Sequence, residues 1–230
     1  MKKVKFILWL CLPFLILSCL TTGEDTIILP QAEEVSVGIE EEAIPLSLQQ
    51  ELEVYMPIHE GSNPPVIDGT YLISTMKAVY ASDNYFKPGD LAYDYKIRFT
   101  NPNTKDNTLS YSEMDMVEDV YGSSDEVTII GSGSDFTAYF VTSGKSSGIS
   151  CKVATLISGT WTKSGIKNLY YAFVMLEKSY DPESSLMNVN EFRVFTDGDG
   201  LAVNSTWSKS VQINSPSMPL FSSCALNARK

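Results

Sequence analysis

From Val66 to about Lys209 the chain alternates between short apolar segments and short polar segments, a pattern typical of antiparallel β-strands. The clearest case is residues 91–100, in which the odd-numbered positions from Leu91 to Phe99 are apolar. The even-numbered positions from Asp94 to Thr100 are polar. Because alternate side chains of a strand point to opposite faces, this strand is predicted to have one buried and one solvent-facing side.

Two other segments depart from simple alternation. In 108–117 the apolar parity changes from Leu109 and Tyr111 to Met114 and Met116, which predicts a β-bulge near Ser112. In 169–176 both parities are apolar, which predicts a strand that is covered on both faces.

The remaining strand signals are separated by Gly/Ser-rich connectors rather than by helices, which favours an antiparallel meander of eight or nine strands. The fold class is therefore predicted to be all-β, either a closed antiparallel barrel or a β-sandwich. The further strands are predicted at 70–74, 77–81, 127–131, 136–142, 150–160, 169–177 and 191–196.

One short helix is predicted just before the strands. Leu48, Leu52 and Tyr55 recur on one helical face, Ser47 followed by Gln50 resembles a capping box, and Pro57 ends the helix. We expect this helix to lie against the outer face of the β domain, where it would cover the doubly apolar strand.

The N-terminus has the order of a bacterial lipoprotein signal. Three lysines within the first five residues precede the apolar segment 6–17, which is too short for a comfortable membrane span of about 20 residues. Ser18-Cys19 then resembles the end of a lipobox, so Cys19 is predicted to be the lipid attachment site. The expected location is the bacterial outer membrane, on its periplasmic or its cell-surface side.

The distribution of charged residues distinguishes an acidic tether from the β domain, and the net charge argues against one class of partner. The formal charge of the chain is -11, and removal of 1–18 with its three lysines leaves -14, which argues against nucleic-acid binding. The lipid anchor is the expected membrane contact. The predicted divisions are a signal peptide at 1–18, an acidic tether at 19–45, a helix and connector at 46–65, a β-barrel domain at 66–215 and a tail at 216–230.

The cysteines that remain after processing are Cys151 and Cys224. Export permits a disulfide between them, although two separate thiols are the alternative. Their spacing does not match a metal site, and no metal or cofactor is predicted.

No catalytic residues are predicted. Ser146 lies in a Gly-x-Ser-x-Gly pattern, but it occupies an expected hairpin connector and the sole histidine, His59, lies upstream of it. The Asp197-Gly198-Asp199-Gly200 stretch is interpreted as a turn, with a weak calcium site as the alternative. The acidic residues Glu113, Asp115, Glu118, Asp119, Asp125 and Glu126 are interpreted as a solvated face.

Aromatic side chains are the candidate ligand contacts, because binding pockets are mainly apolar with a few oriented polar groups. A small barrel can also fill its core with such side chains. Trp161 stands apart at a hairpin end, where it is either an exposed contact or folds over the barrel rim. Phe192 is predicted to face inward with the others, and the residues assigned to a ligand pocket are Tyr71, Tyr93, Tyr95, Phe99, Tyr139, Tyr171 and Phe173.

The start Gly69-Thr70-Tyr71, followed by about eight antiparallel strands, resembles a lipocalin or calycin barrel with tyrosine in the place of the usual tryptophan. The chain also resembles small Bacteroidota-type lipoproteins. That second resemblance rests on 55–58, 63–65, 156–160, 193–195 and 199–202.

The resemblance loosely implies a calycin-like barrel and brings no activity with it. We therefore expect a non-enzymatic lipoprotein that binds a small apolar or amphipathic ligand. The alternative is a surface glycan-binding or assembly lipoprotein with a β-sandwich and an exposed Trp161. The oligomeric state is left open.

Overall fold

The computed structural model describes residues 38–92, 94–103, 108–115, 121–146 and 148–208. Within these ranges it contains one helix, α1 (Leu46–Glu53), and eleven β-strands. The strands in chain order are β1 (Ser62–Asn63), β2 (Gly69–Ile73), β3 (Met76–Ala81), β4 (Tyr95–Asn103), β5 (Thr108–Asp115), β6 (Tyr121–Ser132), β7 (Asp135–Ser146), β8 (Ile149–Thr162), β9 (Gly165–Lys178), β10 (Phe192–Asp197) and β11 (Leu201–Asn204).

Eight of the strands close into an antiparallel barrel in the order β2–β4–β5–β6–β7–β8–β9–β11. The last strand closes it, because β11 pairs with β9 on one side and with β2 on the other. The predicted all-β barrel is therefore confirmed, and the β-sandwich alternative is wrong. Outside this circuit, β1 pairs in parallel with β6, while β10 and β3 extend the sheet from β9.

A glycine permits the closure. Gly165 begins β9 with a φ of +143°, and a Cβ atom built on it would overlap the carbonyl oxygen of Ala202 in β11. Since only glycine lacks that atom, the two backbones can approach closely enough to pair.

The barrel interior is filled mainly by apolar and aromatic side chains. Inward residues of neighbouring strands pack against one another, as expected for an eight-stranded barrel whose lumen is just wide enough for side chains. Several rings meet at tilted or edge-on angles, as aromatic pairs prefer. The buried interior rings include Tyr71, Tyr95, Phe99, Tyr111, Phe136, Phe140, Tyr171, Phe173 and Phe195.

A second apolar layer lies outside the barrel wall. Leu48 and Leu52 of α1 pack with Leu156 of β8 and Val174 of β9, and all four are buried. The prediction that α1 covers the doubly apolar strand is therefore confirmed. A strand that is apolar on both faces needs this cover, because its outer side chains would otherwise face water.

The start of α1 differs from the prediction. The residue before the helix is Pro45, and no side chain caps the first turn, so the capping role predicted for Ser47 is wrong. The buried Gln49 amide instead donates to the carbonyl oxygens of Ile39 and Ile44, at 3.2 and 2.7 Å. These bonds hold the preceding segment against the helix, but they end on carbonyl oxygens and do not cap the amides of the first turn.

The β-bulge predicted near Ser112 is displaced, because the irregularity ends at Tyr111 and its extra residue is on β6. Ser112 is in regular register with Arg98 on β4 and with Ser123 on β6. The irregularity lies one step earlier on the β6 side, between Leu109 and Tyr111. Alternation along β5 therefore continues without interruption, and the residue two positions beyond Tyr111 points into the barrel.

The predicted solvent-facing side of β4 is partly covered. Lys96 is 1% exposed, because residues 206–208 cross the outer face of this strand. The Lys96 amine donates to the carbonyl oxygens of Thr206 and Ser208, at 3.0 and 2.5 Å, and burial lowers the pKa of this amine. The guanidinium of Arg98 lies 4.3 Å from the ring centroid of Trp207.

The two-layer arrangement predicts that α1 contributes to stability through its buried face. Leu52→Ala should lower the free energy of unfolding by about 2–5 kcal/mol, because it removes a fully buried side chain between α1 and the barrel wall. Urea unfolding measures this change. The control is Val54→Ala, which alters a side chain that is 73% exposed and should leave stability nearly unchanged. Equal effects of the two substitutions would show that α1 does not pack as described.

Candidate functional site

The barrel interior contains a carboxylate. Glu113 of β5 is 0% exposed, and its Oε2 atom accepts two hydrogen bonds from tyrosine hydroxyls. Tyr111 donates at 2.6 Å and Tyr171 donates at 2.7 Å. The hydroxyl of Tyr95 hydrogen-bonds that of Tyr171. We call Glu113, Tyr95, Tyr111 and Tyr171 the interior polar cluster.

Three strands bring this cluster together. Tyr111 and Glu113 lie two residues apart on β5, so they share the inward face. Tyr95 comes from β4, which pairs with β5, and Tyr171 comes from β9 on another part of the barrel wall. The rings of Tyr95 and Tyr171 lie 5.8 Å apart between centroids, in an edge-on arrangement. Only closure of the barrel places β9 opposite β5.

The electrostatics of the cluster keep the tyrosines protonated. Burial, followed by the charge of Glu113, raises the pKa of both Tyr111 and Tyr171 well above the ordinary value. A protonated hydroxyl can donate to the carboxylate and still accept a hydrogen bond on its oxygen. The cluster is therefore a set of acceptor oxygens enclosed by aromatic rings.

The structure brings together most of the residues assigned to a ligand pocket. Tyr71, Tyr95, Phe99, Tyr171 and Phe173 are buried in the barrel interior. Their inward position is as predicted, while their role in ligand binding stays a prediction. Tyr93 lies outside the described residues.

The inward position predicted for Tyr139 is wrong. On β7 the inward positions are Phe136, Ala138 and Phe140, so Tyr139 faces outward into the layer that contains α1. Phe192 of β10 also belongs to this outer layer rather than to the interior. Both residues are aromatic and buried, and only strand parity distinguishes the two sides of the wall.

Trp161 folds over the barrel end. It is half-buried and packs against the interior core at the end where Tyr71 lies. The hydroxyl of Tyr71 donates to the carbonyl oxygen of Ile67, at 3.1 Å. Of the two positions considered from the sequence, the structure favours the rim over the exposed contact.

A cleft of about 330 Å³ opens beside this end of the barrel. The connector Ser62–Ile67 forms one side, while Asn101, Leu109 and Ile129 form the other. Ile67 and Leu109 also belong to the interior core. This end cleft is therefore bounded on its inner side by side chains that fill the end of the barrel. Another cleft, of about 640 Å³, lies at the opposite ends of β7, β8 and β9, where Lys152 and Glu177 form an exposed ion pair.

Sequence reasoning missed Glu113. The residue was assigned to a solvated acidic face, and that assignment is wrong for Glu113, whereas Asp125 and Glu126 are exposed as expected. The side chains of Asp115, Glu118 and Asp119 lie outside what the structure describes. The available signal was the shared parity of Leu109, Tyr111 and Glu113, which the assumed bulge at Ser112 concealed.

Two further ionisable side chains face the interior along β10. Arg193 is 1% exposed and pairs with Asp83 at 2.6 Å, while its guanidinium lies 4.7 Å from the ring centroid of Tyr85. Asp197 is 3% exposed, and its Oδ2 atom has no hydrogen-bond partner. Burial, followed by the charges of Asp199 and Asp94, raises the pKa of Asp197 to about 7.

The stretch around Asp197 forms a turn between β10 and β11, as predicted. Residues 198–200 bend away from the strand, and the amide of Gly198 donates to the carbonyl oxygen of Thr75 at 3.1 Å. In the described part of the chain, no group of three or more histidine, cysteine, aspartate or glutamate side chains is arranged to hold a metal ion.

Ser146 of the Gly-x-Ser-x-Gly pattern and the sole histidine, His59, lie far apart. The amide of His59 donates to the Thr137 hydroxyl near the start of β7, whereas Ser146 ends β7, nine residues or about 30 Å further along. Cys151 is buried at the interior side of β8. Cys224 lies outside the described residues, so the disulfide stays a prediction.

The raised pKa of Asp197 predicts that stability falls as the pH rises. Between pH about 4 and about 7 the unfolded carboxyl is ionised while the folded one retains its proton, so ionisation favours unfolding. Asp197→Asn should therefore stabilise the protein by about 2–4 kcal/mol at pH 8 and much less at pH 4.

Urea unfolding at the two pH values measures the difference. Asp125→Asn, which removes an exposed carboxylate from β6, is the matched control and should change stability little. A gain from Asp197→Asn that is equal at both pH values would contradict the assignment.

Comparisons of the chain with family models, curated proteins and solved structures give no match. Among the described residues, no helix has the length and apolar character that a membrane span requires. The geometry of the closed eight-stranded barrel is compatible with a lipocalin-like fold, and such a barrel is compatible with ligand binding.

Proposed function

We propose that this chain is an exported lipoprotein, anchored to the outer membrane through acylated Cys19, whose barrel binds a small amphipathic ligand without chemical conversion. The ligand's polar end is held at the interior polar cluster. Its apolar part lies among the aromatic side chains towards the end cleft.

The buried position of Glu113 is the observation that carries this proposal. Removal of a carboxylate from water costs several kcal/mol, and a barrel core of this size is more stable when apolar side chains fill it. An acidic side chain at 0% exposure is therefore a departure from packing for stability. Such departures concentrate at functional sites, and a few oriented polar groups in an apolar surround are the usual composition of a ligand site.

The end cleft is the place from which a ligand would enter towards this cluster. Leu109 lines the cleft and the interior, and Tyr111 and Glu113 follow it on the same face of β5. Four residues of strand, or about 13 Å, separate Leu109 from Glu113. Access to Glu113 requires the ring of Tyr111 and the neighbouring rings to move, because the interior is filled in this structure. Binding thus selects a more open state of the barrel.

The anchor explains how an acidic protein stays at a membrane. With a charge of -14 after removal of 1–18, its surface repels anionic headgroups, so acyl chains on Cys19 must supply the attachment. A long acidic segment before α1 would keep the barrel clear of the bilayer surface, where its clefts stay accessible.

Cys19→Ser should abolish lipid attachment and move the protein from the membrane fraction to the soluble fraction. The reason is that the acylated side chain is the sole lipid-bearing group in the proposal. Metabolic labelling with a palmitate analogue, followed by membrane fractionation, measures both effects. Cys11→Ser, a change within the signal segment, is the control and should retain label. Labelling that survives Cys19→Ser would overturn the anchor.

Phe140→Ala should increase the affinity for dodecanol several-fold. The Phe140 ring lies 4.5 Å from that of Tyr111 between centroids, so its removal leaves space beside the interior polar cluster. Native mass spectrometry and calorimetry on the processed chain, residues 19–230 with Cys19→Ser, measure binding.

The matched control for this experiment is Phe192→Ala, which removes an equally large and buried ring from the outer layer. It should destabilise the protein without a gain in affinity. Equal affinities for the two variants would place the ligand outside the barrel, and absence of binding by every variant would remove the proposed function.

A further inference from the structure

We infer that the ligand carries an organic ammonium group, which pairs with Glu113 inside the barrel. This inference rests on the proposed function and specifies its ligand class. It assigns the amphipathic ligand a primary or substituted amine as its polar end rather than a carboxylate or a phosphate.

The atoms of the interior polar cluster suit an ammonium. An ammonium is a donor without acceptor capacity, and the cluster combines the acidic side chain of Glu113 with tyrosine oxygens that retain acceptor lone pairs. Hydrogen bonds between an ammonium and a carboxylate are shorter and stronger than those between neutral groups. Their attraction is strengthened further by the low dielectric of a site that is closed to water.

The walls of the cluster suit a cation as well. The rings of Tyr95 and Tyr171 lie 5.8 Å apart, and the ring of Tyr111 lies 5.6 Å from that of Phe99, each measured between centroids. The face of an aromatic ring attracts a cation within about 6 Å, most strongly where water is excluded. A ligand cation beside Glu113 would therefore lie next to a carboxylate and among aromatic side chains.

An anionic head group is disfavoured at the same place. It would face the charge of Glu113 at short range, where little water screens the repulsion. The hydroxyl protons of Tyr111 and Tyr171 are directed at Glu113 already. Along β10 the interior guanidinium of Arg193 is engaged by Asp83 at 2.6 Å. The charge of -14 on the processed chain adds a long-range field that attracts cations.

The experiment compares ligands that differ only in the head group. Dodecylamine, dodecanol and dodecanoate are titrated separately, below their micellar concentrations at pH 7, into the processed chain, residues 19–230 with Cys19→Ser. Calorimetry and native mass spectrometry measure affinity and stoichiometry. Dodecylamine should bind about tenfold or more tightly than dodecanol, and dodecanoate should bind most weakly. Butylamine, which lacks the long tail, tests whether a small amine suffices.

Glu113→Gln is the central variant, because it removes the charge and retains acceptor capacity for the tyrosine hydroxyls. It should bring the affinities for dodecylamine and dodecanol to within about twofold of each other. Glu126→Gln, which removes an exposed carboxylate from β6, is the matched control and should preserve the preference for the amine. Circular dichroism and the midpoint of thermal unfolding establish that each variant is folded.

The outcomes separate the two proposals. A preference for dodecylamine that depends on Glu113 supports the ammonium inference. Equal affinity for the three head groups, tightest binding of dodecanoate, or a preference that survives Glu113→Gln overturns this inference and leaves the ligand-binding function standing. Absence of binding by all three ligands, in the wild type and in Phe140→Ala, overturns the proposed function itself. If Glu113→Gln does not fold, the head-group order in the wild-type chain decides the inference.

Discussion

Closure of the sheet is the constraint on which the rest of this molecule depends. Once β11 pairs with both β9 and β2, each barrel strand has one side that faces the interior and one that faces outward. Alternation along the chain then assigns every side chain to one of two apolar layers or to solvent. The interior rings, the cover provided by α1 and the buried position of Glu113 are consequences of this single geometric condition. At Gly165 the backbones of β9 and β11 approach each other so closely that a Cβ atom would not fit.

The closed barrel also concentrates ionisable groups in places where water is excluded. Each is accommodated differently, and the differences indicate what each group does. Arg193 is paired with Asp83 and stacked near aromatic rings, and Lys96 is held by two main-chain carbonyl oxygens. These arrangements fix neighbouring segments in place, as buried and satisfied charges can.

Glu113 and Asp197 differ from that pair. Two tyrosine hydroxyls donate to Glu113 in the barrel interior. Asp197, the last residue of β10, has one oxygen without a hydrogen-bond partner. Glu113 lies in the barrel interior among tyrosine hydroxyls, and it is the group on which the proposed function rests. Burial of the Asp197 carboxyl is a locally destabilising feature that the rest of the fold offsets.

What the sequence determined by itself was the class of fold and much of its layering. The parity of Tyr95, Ile97 and Phe99, and the doubly apolar stretch of β9, depend on neighbours one or two residues apart, so they can be read along the chain. The cover by α1 followed from the same logic, since a strand without a polar face needs a partner layer. The processing signal that we predict before Cys19 rests on the same kind of local pattern.

Only the tertiary structure decided which aromatic and charged residues share the interior. Tyr139 and Phe140 are adjacent and similar, yet the register of β7 places them in different layers. Glu113 was predicted to face solvent because a local change in parity suggested a bulge, whereas pairing with β4 and β6 keeps the strand regular. Lys96 is buried by residues more than a hundred positions away in the chain. In each case the deciding contact joins distant segments, and single-strand periodicity carries no information about which segments pair, in what register, or what covers them.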